Sequence, residues 1–285
     1  MVHIHWYPGH IAKAERKLKE QLSLVDVVIE VIDARIPYSS KYIEIKKLLG
    51  DKPRLLIMNK SDVAEVDKTK QWIDYWKKQE GCMVVSASAS TAKDLNNIIN
   101  LIVRLGDEKM EKLKAKGILP RPVRAMVVGM PNVGKSSIIN KLIKKGKAKT
   151  GPIAGVTRRQ QWVRINPKVE LLDTPGIIPM KLEDQEAACK LAFVSSISEN
   201  AYDVEEIAQE LLNIIYDLYK DFLLENYKIE DTGIAPTLQE IAKARSWLIS
   251  KERPDTLRAA SLILLDFRKG RLGRMTFDKI EKIED

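Results

Sequence analysis

Gly129-Met-Pro-Asn-Val-Gly134-Lys135-Ser136 stands between the apolar run Val123 to Val128 and the amphipathic stretch Lys135 to Lys145. It fits G-x-x-x-x-G-K-[ST] in the context that gives the pattern meaning, after a predicted strand and at the start of a predicted helix. A glycine-rich turn of this kind lets backbone N–H groups wrap phosphate oxygens, and the helix N-terminus adds its dipole. Lys135 is expected to neutralise β- and γ-phosphates, and Ser136 to ligate Mg²⁺. Asn132, Val133, Gly134 and Ser137 complete the candidate phosphate-binding segment.

Downstream, Asp173-Thr-Pro-Gly176 closes the apolar run Val169 to Leu172. A carboxylate there holds Mg²⁺ through water, and the Gly176 N–H meets the γ-phosphate. Thr157 lies between, in a loop with Gly151, Pro152 and Gly155. That is where a switch threonine ligates Mg²⁺ when a γ-phosphate is present. Upstream, Asn59-Lys60-Ser61-Asp62 ends the predicted strand Arg54 to Met58. The Asp62 carboxylate is suited to accept from guanine N1–H and the exocyclic N2 amine, a donor pair adenine lacks. Lys60 lays its aliphatic stem along the base. Ser86-Ala87-Ser88 ends the next strand, where a small residue lets the Ala87 N–H reach guanine O6. Four such elements at strand C-termini, where open α/β sheets bind ligands, point to GTP.

The rest of the chain supports such a sheet. Apolar runs of strand length alternate with helical patterns from Val25 to about Pro179, the signature of βαβ units. A Lys-rich connector at about 107–121 interrupts them. After Pro179 the strands stop. Asp203-Val-Glu-Glu206 and Thr237-Leu-Gln-Glu240 read as capping boxes, and apolar residues recur at helical spacing behind them. The expected division is an α/β domain over 1–180 and an all-helical domain over 181–285, consistent with 285 residues.

Composition narrows the partners. Lys plus Arg number 48 against 39 Asp plus Glu, a net charge of +9 that favours a polyanion. Basic residues gather at Arg268, Lys269, Arg271 and Arg274, at Lys109, Lys112, Lys114 and Lys116, and from Lys141 to Lys149. Three such runs favour RNA over a membrane, because no basic helix also carries a broad apolar face. Two cysteines cannot build a disulfide framework, and no signal or transmembrane stretch is legible, so a cytoplasmic protein is expected. A P-loop kinase would have no use for Asn59 to Asp62. A GTP-binding switch acting on a protein or membrane partner stays an alternative.

In Ras-like GTPases the base-recognition elements follow the P-loop; here they precede it. The same fold results if the connector joins what are ordinarily the two termini, with the cut just after the Asp173 loop. On these residues the chain resembles the circularly permuted GTPases, and most of all the ribosome biogenesis GTPase A family. The match is carried by Trp6-Tyr-Pro-Gly-His-Ile-Ala-Lys-Ala14, Asp33-Ala-Arg-Ile-Pro37, Asn59 to Asp62, Gly129 to Ser136, Gln160-Gln-Trp162, Asp173 to Gly176 and Asp266 to Gly273. The resemblance implies a circularly permuted Ras-like P-loop GTPase domain followed by an all-helical RNA-binding domain. It implies GTP hydrolysis to GDP, assistance to late assembly of the large ribosomal subunit precursor on its rRNA, and a monomer away from the ribosome. GTPases similar to this one place a K⁺ ligand at the position of Asn132.

The permuted order also singles out His10. The opening helix, Ile11 to Leu22, precedes the strand from Val25 and should run antiparallel to it, with its N-terminus at the nucleotide edge. The residue after D-x-x-G, commonly a water-orienting Gln, is Ile177 here. With Lys135, His10 is therefore the candidate catalytic group.

Overall fold

The computed structural model describes residues 4, 11–89, 95–119, 121–146, 162–172, 176–177 and 184–284. The chain divides into two compact units, Pro8–Met180 with Lys279–Asp285, and Lys181–Asp278 with Met1–Tyr7. The α/β unit contains α1 (Ile11–Leu22), β1 (Val27–Asp33), α2 (Ile45–Leu49), β2 (Arg54–Asn59), α3 (Val66–Glu80), β3 (Met83–Ser86), α4 (Leu95–Ala115), β4 (Val123–Gly129), α5 (Lys135–Gly146), β5 (Trp162–Asn166), β6 (Val169–Leu172) and β7 (Gly176–Ile177). The helical unit contains α6 (Gln185–Phe193), α7 (Val204–Tyr227), α8 (Leu238–Ala244) and α9 (Thr256–Arg268); a last turn, α10 (Glu281–Glu284), belongs to the α/β unit.

The strands line up as β3-β2-β1-β4-β6-β5, with β7 paired to β4. All pairs are parallel except β5 with β6. Counted from the P-loop strand β4 instead of from the N-terminus, and with the two-residue β7 left out, this order becomes 6-5-4-1-3-2, a Ras-like sheet in permuted chain order. Every residue of β1 and β2 is buried, as expected of parallel strands covered on both faces. On one face Leu18 and Leu22 of α1 join Val28, Ile45, Met126, Val128 and Leu172 in a single core. Farther along the sheet, Trp72 and Trp76 of α3 cover Ile32, Leu56 and Met58, and Ile280 and Ile283 of the returning tail pack there too.

Two elements differ from the sequence expectation. The pattern Lys41 to Leu49 predicts a helix, yet only Ile45–Leu49 is helical. Lys41 is drawn inward instead, to the carboxylates of Glu80 (3.0 Å) and Glu30 (3.7 Å), so residues 35–44 wind as turns. The Lys-rich connector is mostly helix, since α4 continues to Ala115. What closes the permuted chain is a carboxylate. Asp26, just ahead of β1, takes two bonds from Arg121 (2.6 and 2.9 Å), one from the Arg124 N–H (2.9 Å) and an ion pair from Lys109 (2.7 Å). Burial pushes this carboxyl up, but Arg121 and Lys109 outweigh it and hold it at about 2.

A carboxyl lowered on folding stabilises the native state above its unfolded value and loses that contribution as pH falls to the folded value. Asp26→Asn is therefore expected to cost about 2 kcal/mol at neutral pH. The gap between variant and parent should close as pH drops from about 4 to about 2. Urea denaturation at stepped pH measures it; a gap independent of pH would remove the ionic account.

In the helical unit, side-chain caps start each helix. Asp184, Asp203 and Asp255 accept from first-turn N–H groups of α6, α7 and α9. Thr237 and Glu240 form both halves of a capping box on α8. Asp203 supplies the side-chain half alone among the recorded bonds. Residues 270–278 strap back across the unit: Phe277 stacks on Phe267 at 5.1 Å, Asp278 pairs with buried Lys190 at 2.9 Å, and the Tyr219 hydroxyl donates to the Thr276 carbonyl and accepts its N–H. At Tyr219 the α7 backbone leaves helical geometry.

Arg268, expected to face RNA, is committed elsewhere. Its guanidinium donates to the carbonyls of Phe193 (2.9 Å) and Ala192 (3.1 Å) at the C-terminal end of α6, and pairs with Glu199 (3.0 Å). Arg271 pairs with Asp266 at 3.0 Å.

Candidate active site

The loop from β4 to α5 holds two glycines that no other residue replaces. Gly129 has φ +152°, and a Cβ there would run into the Val31 carbonyl. Gly134 has φ +99°, and a Cβ would run into the Asn59 side-chain amide. Between them Asn132 is left-handed at φ 56° and exposed. Lys135 turns inward, 8% exposed, and its Nζ donates to the Met130 carbonyl at 2.6 Å. Burial lowers its ammonium to about 8. Among the described residues no carboxylate pairs with it. A cation held out of water with no carboxylate beside it favours an incoming anion, whose arrival stabilises the protonated form. Ser136 and Ser137 lie exposed in the first turn of α5.

The segment after β2 is tied to this loop. Buried Asn59 donates through Nδ2 to the Val133 carbonyl (2.8 Å) and accepts the Ala89 N–H (3.2 Å). Lys60, left-handed at φ 61°, donates through Nζ to the Asn132 carbonyl (2.9 Å) and pairs with Asp33 (2.9 Å). Asp33 ends β1 and is fully buried, with Arg35 gripping both its oxygens at 2.9 and 2.8 Å. Burial alone would raise its carboxyl, but the Arg35 and Lys60 charges keep it far below the usual carboxylate range. Asp33-Ala-Arg35 was legible only as a motif. An acid and a base two residues apart at a strand end are the signal of this anchor, which fixes Lys60 against the P-loop.

Asp62 is half-buried in the following turn, closed by the Val63 N–H on the Lys60 carbonyl at 3.1 Å. Ser61 fastens that turn to the end of β3, donating from both N and Oγ to the Ala87 carbonyl (3.1 and 2.9 Å). The Ala87 N–H, expected at guanine O6, already donates to the Met58 carbonyl at 2.9 Å. The parallel register that pairs Met58 with Ser86 carries the ladder one residue past β3. Gly176 pairs with Val128 and Ile177 with Gly129, which puts the D-x-x-G glycine beside the mouth of the P-loop. His10, Thr157 and Asp173 lie outside the described residues. Among the described residues no group of three or more His, Cys, Asp or Glu could hold a metal.

A permuted Ras-like sheet, a P-loop with a buried lysine and an N-K-x-D turn stitched to it define a P-loop GTPase. A family model described as "50S ribosome-binding GTPase" matches residues 124–251. The chain is similar to the ribosome biogenesis GTPase A of Bacillus cereus, 42% identical over 98% of this chain and 95% of that one. It is 39% identical to the protein of the same name from Bacillus licheniformis, over 98% and 99%. The crystal structure of GNP-bound YlqF from T. maritima superposes with a TM-score of 0.64 at 29% identity, covering 94% of this chain and 98% of that one. The chain belongs to the ribosome biogenesis GTPase A family and is a GTP hydrolase.

Proposed function

We propose that this chain binds GTP with Mg²⁺ at the P-loop, hydrolyses it to GDP and phosphate, and serves as an assembly factor in late maturation of the large ribosomal subunit. The observation that carries the nucleotide reading is Lys135, buried against a neutral carbonyl with no described carboxylate beside it. On binding, Lys135 Nζ exchanges the Met130 carbonyl for β- and γ-phosphate oxygens. Backbone N–H groups of Asn132, Val133, Gly134, Lys135, Ser136 and Ser137 wrap the phosphates. Asp62 reads guanine, with the Lys60 stem along the base and Ser86 and Ala87 at its edge.

The Ser136 hydroxyl, exposed at the start of α5, is an oxygen donor of the kind Mg²⁺ takes; Thr157 and Asp173 would complete the protein ligands. Bound there, Mg²⁺ neutralises charge developing on the phosphates. K⁺ would be held at Asn132, whose left-handed backbone keeps it exposed at the loop's crest. The helical unit serves as the RNA-binding domain, and the partner is the precursor subunit through its rRNA. The relatives' names carry ribosome biogenesis, and the family model's description carries 50S binding. No helix among the described residues is long and apolar enough to cross a membrane. On this reading the protein works in the cytoplasm, where bacterial ribosomes are assembled, and is a monomer away from the ribosome.

One experiment tests this: single-turnover GTP hydrolysis with and without purified large ribosomal subunits, in K⁺ and in Na⁺ buffer. Subunits should accelerate hydrolysis, and more so in K⁺. No acceleration in either salt would sink the ribosomal reading, and equal rates in the two salts would remove the K⁺ site.

A further inference from the structure

The basic runs of the sequence do not all survive folding as free charge. Arg268 and Arg271 are neutralised within the helical unit, Lys109 is spent on Asp26, and Lys112 pairs with Glu108. Lys269 and Arg274 stay exposed with no ion pair among the described residues, but the segment joining α8 to α9, with the first turn of α9, gathers twice as many such cations. Arg245, Lys251 and Arg253 are exposed there, as is Arg258 in the first turn of α9, and none has an ion pair among the described residues. The acidic residues nearby are Glu252, exposed, and Asp255, whose carboxylate caps α9.

This segment is built, not loose. It folds back as a tight hairpin: the Ile249 N–H donates to the Arg253 carbonyl (2.9 Å), the Asp255 N–H to the Trp247 carbonyl (2.8 Å), and Leu248 bridges Pro254. Trp247 roots it, edge-on to buried Tyr227 at 6.5 Å, with the Arg245 guanidinium 5.7 Å from its ring centre. The hairpin then spends apolar surface on solvent. Ile249 is 61% exposed, and Leu257, just beyond it in the first turn of α9, 57%. A stiff element that holds apolar side chains in water among four unpaired cations has the composition of a surface that meets phosphates and bases together.

We infer that the α8–α9 hairpin is the surface by which the helical unit docks on ribosomal RNA, in place of the Arg268–Arg274 cluster. This rests on the ribosomal reading above. Arg245, Lys251, Arg253 and Arg258 meet phosphates, while Leu248 and Ile249 lie against exposed bases or riboses. The binding should be strongly salt-dependent, because each neutralised phosphate releases counter-ions.

The test uses the full chain carrying Arg245→Gln, Lys251→Gln, Arg253→Gln and Arg258→Gln together, and separately Ile249→Ser. Binding is measured from low to high salt against purified large subunits and against protein-free large-subunit rRNA. For the quadruple variant, affinity for both should fall about tenfold or more, and the log–log salt slope should shrink by about 3, at roughly 0.7–0.9 per phosphate. Ile249→Ser should weaken binding without changing the slope. GTP affinity and basal hydrolysis should match the parent in both. A quadruple variant with the parent's affinity and slope overturns the inference while leaving the ribosomal reading intact. Subunit binding lost with rRNA binding unchanged would make the hairpin a docking site for a ribosomal protein, which also overturns it. A parent chain that binds neither target removes the reading beneath, and the inference with it.

Discussion

Asp62→Asn is expected to convert a guanine-selective protein into one that prefers xanthine nucleotides. On the proposed reading, the carboxylate offers two acceptor oxygens to the N1–H and N2 donors of guanine. The amide keeps one acceptor and sets an N–H₂ group against a donor. Losing a charge-assisted two-point contact costs roughly 2–4 kcal/mol, or about 30- to 1,000-fold in GTP affinity. Xanthine carries a carbonyl where guanine carries the amine, so the Asn amide regains a partner with xanthosine triphosphate. The fold should tolerate the change. The turn is closed by backbone and serine bonds, Val63 N–H to Lys60 and Ser61 to Ala87, that do not involve the Asp62 side chain. Equilibrium binding of fluorescent GTP and xanthosine triphosphate to parent and variant measures the switch. GTP held as tightly by the variant as by the parent would move base recognition away from this turn.

What the sequence made legible, and what it hid, follows from the range of the forces involved. The P-loop and N-K-x-D turn are short, and their chemistry lies in residue types at fixed spacing, so they stand out before any folding. The parallel strands announce themselves because both faces of β1 and β2 are buried and read as nearly continuous apolar runs, interrupted in β1 by Glu30. Contacts over long separation are another matter. Asn59 meets Val133 and Lys60 meets Asn132 across more than seventy residues, and no local pattern encodes that. Arg268 looked like free surface charge because its partners, the last carbonyls of α6, lie far upstream in the chain. The short α2 has the same origin. Lys41 fits an exposed helix face by spacing, but buried Glu30 and half-buried Glu80 draw it inward. Helical period predicts where side chains point only when no buried counter-charge competes.

His10→Ala is expected to slow subunit-stimulated hydrolysis by 10²–10⁴-fold while leaving GTP affinity nearly unchanged, the range for a positioned acid–base group. The chain supplies no glutamine after D-x-x-G; Ile177 stands there, its backbone paired to Gly129. Water must be oriented from elsewhere, and the topology of α1 narrows where. Leu22 packs with Val25 and Val28, and the chain enters β1 at Val27, so α1 runs back antiparallel to the sheet. Twelve helical residues rise about 18 Å, most of the roughly 23 Å length of the seven-residue β1. The Ile11 end of α1 is thereby carried toward the strand ends where the P-loop starts. Contact between α1 and β7, the strand that opens with Gly176, agrees with this. His10 directly precedes that helix end, and imidazole accepts or donates a hydrogen bond to water near neutral pH. A group acting mainly in the transition state shows its loss in kcat and not in nucleotide binding. About 3–5 kcal/mol of barrier is at stake, too much to be mistaken for a small change in packing. Single-turnover hydrolysis with saturating large subunits is the measurement, with GTP affinity read in parallel. A His10→Ala rate within twofold of the parent would leave the histidine a turn residue and send the search for the water-orienting group to the subunit itself.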